Sequence, residues 1–201
     1  MDRTTFEMAN MAGIDRYKLL TGLIIPRPIG WVGTVAADGT FNLAPYSYFN
    51  AVAATPPTVI FSTGRPQGRI KDSLANVIAT GEFTLSIVDE NLAEAMHKTS
   101  GSYPPEVDEF AESGLTASIG DVVAAPYVTE AKAALECRVI RIVDLGEPPT
   151  ASVVFGNVLR IHVADTILDG TRINHGKLGA VGRIAGTTYV TTADSLFDVE
   201  E

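Results

Sequence analysis

The chain has 201 residues and a mass of 21.3 kDa, and its 46% apolar and 19% charged content suits a folded domain and excludes a disordered tail or a collagen-like repeat. A chain of this length can hide about 70% of its unfolded surface without help from disulfides or a structural metal, and the single Cys137 has no partner for an internal bridge, which points to a reducing cytoplasm. Fifteen Lys and Arg against 24 Asp and Glu give a net charge of -9 and a pI near 4.8, which opposes nucleic acid or an anionic membrane as a partner.

In chain order, Met1 to Gly13 carries Asp2 and Glu7 and no apolar run of signal-peptide length, so secretion is not expected. The greasiest segment, Leu19 to Ile25, is interrupted by Thr21 and Gly22 and falls far short of the roughly 18 apolar residues of a spanning helix. Gly30 to Ala36 is rich in β-formers, Ala37-Asp38-Gly39-Thr40 offers a tight turn, and Phe41 to Leu43 can return as the second arm of a hairpin. Thr58 to Thr63 reads as a strand buried on both faces. Ile70, Leu74, Val77 and Ile78 form one apolar stripe of a helix over Asp72 to Thr80, with Asp72 or Ser73 placed to cap it.

Phe83, Leu85 and Ile87 alternate with Thr84, Ser86 and Val88 as in a half-buried strand. Asn91 to Thr99 and Val107 to Ser113 are weaker helical segments. The longest β signals are Ala134 to Leu145 and Ser152 to Ala164, and in the second Val153, Phe155, Leu159, Ile161 and Val163 share one face. The pairs Pro56-Pro57, Pro104-Pro105 and Pro148-Pro149 punctuate loops, with no repeat and no linker. The pattern predicts one domain over residues 1–201, mainly β, built as a closed or partly closed barrel with peripheral helices.

Much chemistry is missing. His97, His162 and His175 show no HxxH or HExxH spacing and Cys137 has no CxxC companion, so a zinc or iron site is not expected. His162 reads as a hydrogen-bonded structural imidazole and Cys137 as a buried inert thiol. No GxSxG elbow, P-loop or GxGxxG motif is present.

Two clusters stand out. Arg65, Arg69 and Lys71 occur together with no acid among them, after a strand ending in Ser62 and Thr63 and before a helix whose first turn holds Ser73. Hydroxyls, cations and unpaired helix amides would there converge on a phosphate dianion. Composition equally allows a solvated basic loop paired with the eight acids between Glu82 and Glu112. In the second cluster, Asn42 to Asn50, the rings of Tyr46, Tyr48 and Phe49 surround Pro45, which suits either a shelf for a flat heteroaromatic ligand or a plain core hairpin.

Arg27-Pro28-Ile29-Gly30-Trp31-Val32-Gly33-Thr34-Val35, Asp38 to Asn50, Pro56-Pro57, Phe61-Ser62 and Lys71-Asp72-Ser73-Leu74-Ala75-Asn76 together resemble the flavin reductase-like family of FMN-binding split barrels, in its flavoredoxin-type branch. The similarity spans about Leu20 to Val163, and Gly182 to Tyr189 resembles the closing segment. The resemblance implies a six-stranded split barrel (core about 20–163, with residues 164–201 closing the fold or dimer), working as a homodimer with FMN at or near the subunit interface. It puts Thr34 and the Ala44 to Asn50 segment, with Pro45, Tyr46, Ser47 and Asn50, beside the isoalloxazine and ribityl chain, and Ser62, Thr63, Arg69, Lys71 and Ser73 around the phosphate. Gly33 stands where the family often has Ser, and Ser73 where it often has Thr. Trp31 reads as core packing, and Arg27, Arg183 and Tyr189 match family positions without an assigned contact.

A flavin performs hydride chemistry itself, so the absence of a triad or carboxylate pair fits this reading. The expected function is an FMN-dependent NAD(P)H oxidoreductase that hands electrons to an acceptor such as a monooxygenase, free flavin, or an iron or disulfide substrate. The alternative is an FMN-binding electron carrier or storage protein without NAD(P)H turnover. No nicotinamide-binding motif is recognisable, so the choice of donor is open.

Overall fold

Tight turns between short apolar strands set the architecture. The computed structural model describes residues 1–193 and 196–199. In order, its elements are α1 (Gly13–Leu23), β1 (Arg27–Pro28), β2 (Gly30–Val35), β3 (Phe41–Tyr46), β4 (Phe49–Ala54), β5 (Pro57–Gly64), α2 (Asp72–Thr80), β6 (Glu82–Ile87), α3 (Ala93–Lys98), α4 (Glu109–Glu112), β7 (Ala117–Ile119), β8 (Pro126–Val128), β9 (Ala133–Leu145), β10 (Ala151–Val163), β11 (Leu168–Asp169), β12 (Arg172–Ile173), α5 (His175–Leu178), β13 (Val181–Arg183) and β14 (Tyr189–Thr191). The hairpin of β2 and β3 turns at Gly39, whose φ of 92° a side chain would resist, and Asp38 accepts the Thr40 N–H at 3.0 Å.

Seven strands pair antiparallel in the order β3-β2-β6-β9-β10-β5-β4. The six-stranded barrel expected from the resemblance is therefore corrected to a seven-stranded sheet that is not closed, because its edges β3 and β4 do not pair. The sheet nonetheless curls on itself. Only Ser47 and Tyr48 separate the two edge strands, and Tyr46 of β3 packs on Phe61 of β5 with ring centroids 5.1 Å apart. Val32, Phe61, Phe83, Leu85, Cys137 and Val154 fill the inside, sealed by Leu74 and Val77 of α2. Cys137 is fully buried there, and burial pushes its thiol up to about 12, as expected of an inert sulfur. A second core under α3 and α4 gathers Ile29, Trp31, Leu43, Met96 and Phe110, where the Trp31 indole donates to Thr99 Oγ1 at 2.9 Å.

Three readings of burial are corrected. Strand β6 is buried on both faces, because the β7–β8 hairpin covers its polar side: Thr84 Oγ1 donates to the Pro126 carbonyl, and Ser86 Oγ accepts the Val128 N–H at 3.0 Å. On β10 the inward residues are Ser152, Val154 and Gly156, while Leu159 and Ile161 of the apolar face lie outward. A bulge between Val158 and Arg160 re-aims that end of the strand. Leu74 and Val77 of α2 are buried, but Ile78 is exposed, as is Ile70, which lies before the helix, and the buried face is completed by Ser73 and Asn76.

The sequence patterns also miss α1, which buries only Thr21 and leaves Ile14, Tyr17, Leu20, Leu23 and Ile24 exposed. Its C-terminal carbonyls are held by the buried Arg27, whose guanidinium donates to Thr21 O, Ile24 O and Ile184 O and so ties α1 to the small sheet β1-β13-β14. Among the described residues no helix is long and apolar enough to cross a membrane.

Candidate functional site

The corner where β3 passes into β4 lies beside the end of β5 and the start of α2. The pairing of Phe49 with Phe61 and the Ser62 N–H to Tyr48 O bond of 2.8 Å set Ser62 next to this corner. Beyond β5, a turn at Pro66–Gly68, with Gln67 at φ 54° and Gly68 at φ 77°, reverses the chain into Arg69. A left-handed Gln is uncommon and marks a turn that the flanking bonds impose: Gly68 N donates to Arg65 O and Arg69 N to Pro66 O, both at 3.0 Å.

The cations of this loop divide sharply. Arg65 is anchored by Asp144 at 2.6 Å and by Ser152 Oγ at 2.9 Å. The acidic stretch from Glu82 to Glu112 contributes no ion pair to the loop, and among the described residues Arg69 and Lys71 have no carboxylate partner. Lys71 also holds the N-cap position of α2, correcting the expectation that Asp72 or Ser73 caps it. The Lys71 carbonyl accepts the Leu74 and Ala75 N–H groups at 2.9 and 3.0 Å, and the Asp72 and Ser73 N–H groups find no protein acceptor among the described residues. Two free cations and two free amides therefore share the start of a nine-residue helix.

Beneath this surface runs a buried polar chain. Tyr46 OH donates to Ser73 Oγ at 3.1 Å, Ser73 Oγ to Asn42 Oδ1 at 2.8 Å, and Asn42 Nδ2 to Glu109 Oε1 at 2.7 Å. Thr34 Oγ1 joins Asn42 at 3.3 Å and accepts from Asn76 Nδ2 at 3.1 Å, while the Leu43 N–H donates to Glu109 Oε2 at 3.0 Å. Burial raises the Tyr46 phenol above its ordinary value, so it stays a donor. Burial likewise raises the Glu109 carboxyl, against the lowering by its Leu43 and Asn42 donors.

Of the ten residues singled out from the sequence, Thr34, Tyr46, Thr63 and Ser73 are buried, Pro45, Ser47 and Ser62 are half-buried, and Asn50, Arg69 and Lys71 are exposed. The corner, the end of β5 and the start of α2 thus present cations, hydroxyls and an amide over a floor made by the buried four. Lys71 Nζ sits 5.7 Å from the Tyr46 ring centre and links the two layers. Sequence reasoning missed Asn42, Asn76 and Glu109 as members of this floor. The two Asn lie inside the quoted motifs, whereas nothing near Glu109 in the chain signals its role.

On the other side of the corner, Pro45 and Ser47 border a narrow cleft with Ile29, Met96, Ser100, Arg183 and Tyr189. Tyr189 also lines a neighbouring crevice of about 340 Å³, together with Ala93, Glu94, His97 and Thr187. Elsewhere Asp121, Glu136 and His162 bring ligand atoms within 4.8 Å of one another, but the Glu136 oxygens already accept from Val122 N, Val123 N and His162, and Asp121 holds Arg160. That group clamps a loop, as the structural reading of His162 expects.

The "Flavin reductase like domain" family profile matches residues 22–178. An uncharacterized protein of Aquifex aeolicus is 41% identical over 187 residues, covering 92% of this chain and 94% of its own. Nitrilotriacetate monooxygenase component B from Bacillus cereus superposes with a TM-score of 0.94 at 36% identity, covering 100% of this chain and 99% of its own. Pseudomonas fluorescens 2-nitrobenzoate 2-nitroreductase gives a TM-score of 0.89 at 28% identity, covering 98% and 96%.

Proposed function

The chain belongs to the flavin reductase-like domain family, and from that premise we propose that it is an FMN-dependent oxidoreductase that draws a hydride from NAD(P)H and passes the electrons to an acceptor. The observation that carries this reading is the pair Arg69 and Lys71 at the start of α2, which have no carboxylate partner among the described residues of a chain whose net charge is -9. Cations left without carboxylates amid an excess of acid suit a dianionic ligand. The residues present fit FMN on that ground. Arg69, Lys71 and the free Asp72 and Ser73 amides offer a phosphate charge and hydrogen bonds, Ser62 adds a hydroxyl, and Asn50 and Ser47 offer polar contacts toward a ribityl chain. Pro45 and Ser47 form the half-buried shelf for the ring.

When bound, FMN supplies a ring that takes up a hydride and releases electrons. The chain binds, orients and excludes water. Thr34, Asn42, Ser73 and Asn76 lock one another by hydrogen bonds and hold Tyr46 and the adjoining shelf in one rotameric arrangement, so that donor and ring meet without reorganisation. A homodimer completes the proposal. The exposed apolar residues of α1, with Ile14 at 60% and Leu23 at 79%, and the outward Ile161 of β10 at 57%, are surfaces a second copy would cover. A monooxygenase as acceptor is supported by the name of the Bacillus cereus relative.

Anaerobic mixing of the FMN-loaded protein with NADH or NADPH tests the reading. Loss of the flavin absorbance on the timescale of turnover supports it. Tight FMN retention with no response to either nucleotide identifies a carrier instead.

A further inference from the structure

We propose that the crevice between α3 and the β13–β14 turn receives the diphosphate and adenosine ribose of the hydride donor, and that Glu94 makes it select NADH over NADPH. The inference rests on the reductase reading and names its donor. The crevice measures about 340 Å³, within the range of small-molecule sites. Its wall Tyr189 also borders the cleft of Pro45 and Ser47, so the crevice adjoins the shelf assigned to the flavin ring, where a donor has to reach.

Both walls are built on rigid elements. Met96 seats α3 in the second core at 2% exposure and leaves Glu94 and His97 outward. Across the gap, Thr188 N donates to Ala185 O and Ile184 N to Thr188 O, each at 2.9 Å, closing a turn with Gly186 at φ 55°. Arg183 Nη2 donates to Gly186 O at 2.9 Å and has no carboxylate partner among the described residues. The Gly186 and Thr187 N–H groups find no protein acceptor there either. The Thr187 hydroxyl in the crevice, the Arg183 guanidinium in the adjoining cleft and the two unbonded amides of the turn offer donors to a diphosphate. Tyr189 OH lies 3.4 Å from His97 Nδ1, which fixes the ring between crevice and shelf.

Glu94 is the acid in the lining. A carboxylate accepts hydrogen bonds from the free 2′,3′-diol of a ribose and repels a 2′-phosphate. The experiment compares NADH and NADPH oxidation by FMN-loaded wild type, Glu94→Gln, Glu94→Lys and Thr187→Val, with NAD⁺ and NADP⁺ binding measured by calorimetry and folding checked by circular dichroism. Wild type should favour NADH in kcat/KM by at least about tenfold. Glu94→Lys should narrow or reverse that ratio through KM and through NADP⁺ binding, and Thr187→Val should weaken both nucleotides with FMN affinity unchanged. Equal use of both donors by wild type, or a ratio insensitive to Glu94→Lys, overturns the assignment while leaving the reductase reading intact. If wild type oxidises neither nucleotide, the reductase reading itself falls and takes this inference with it.

Discussion

Replacing Arg69 and Lys71 together by Ala should separate the phosphate of FMN from the rest of the ligand. Both side chains are exposed and have no carboxylate partner among the described residues, so their removal orphans no buried group and leaves the fold intact. A hydrogen bond to a charged partner contributes about 1.5 to 3 kcal/mol, and solvent screening at an exposed site favours the lower half of that range. Two such bonds lost together predict about 3 to 4.5 kcal/mol, roughly 150- to 2,000-fold in Kd. Quenching of flavin fluorescence reads Kd for FMN and for riboflavin, which lacks the phosphate. The double variant should lose affinity for FMN but bind riboflavin as wild type does, and added salt should weaken FMN binding to wild type far more than to the variant. Arg65→Ala should affect FMN less, because Asp144 at 2.6 Å already holds that guanidinium. Equal losses for FMN and riboflavin, or no loss for either, would refute the phosphate assignment.

Other outcomes follow from the packing. A Cβ at Gly33 would overlap the Pro126 carbonyl and approach Thr84 Oγ1 to 2.5 Å, so Gly33→Ser should lower stability by about 1 to 3 kcal/mol in chemical denaturation. Wild-type stability or better in that variant would show that the β7–β8 hairpin does not press on β2. Burial alone would raise the Glu136 carboxyl, but donation from Val122, His162, Asp121 and Val123 outweighs it and leaves it below its ordinary 4.5. Its stabilising contribution is therefore present above pH 4.5 and is lost as pH falls through the lower native value, so the stability gap between wild type and Glu136→Gln should shrink on acidification. A gap that widens contradicts the sign. Ile161→Arg should shift the protein toward monomer in sedimentation velocity at micromolar concentration, whereas an unchanged mass would remove the outer face of β10 from the proposed dimer.

The strands and their turns were legible because local chemistry decides them. Gly39 after Asp38 demands a turn, and the hairpin pairs Val35 with Phe41 around it. Burial was less legible wherever a distant segment supplies the cover. The polar face of β6 is inside because the β7–β8 hairpin lies on it, and the apolar face of β10 points outward although its composition reads as core. Helix α1 escaped detection because its apolar residues face no core among the described residues, so no buried stripe shaped its pattern. At the site, charge clustering marked Arg69 and Lys71, but it could not reveal that Arg65 is held by Asp144. Nor could the motifs show that the Ser73 hydroxyl is bonded inward to Asn42 and Tyr46, a fact set by the buried face of α2. The departure at Gly33 now has a physical reason, since the space a Ser would need is filled by the Pro126 carbonyl.

The most direct test is a crystal structure of the protein grown with FMN. The account expects the phosphate against Arg69, Lys71 and the free amides at the head of α2, and the ring on Pro45 and Ser47. Flavin density seated elsewhere, or Arg69 and Lys71 turned to solvent beside an ordered phosphate, would contradict it.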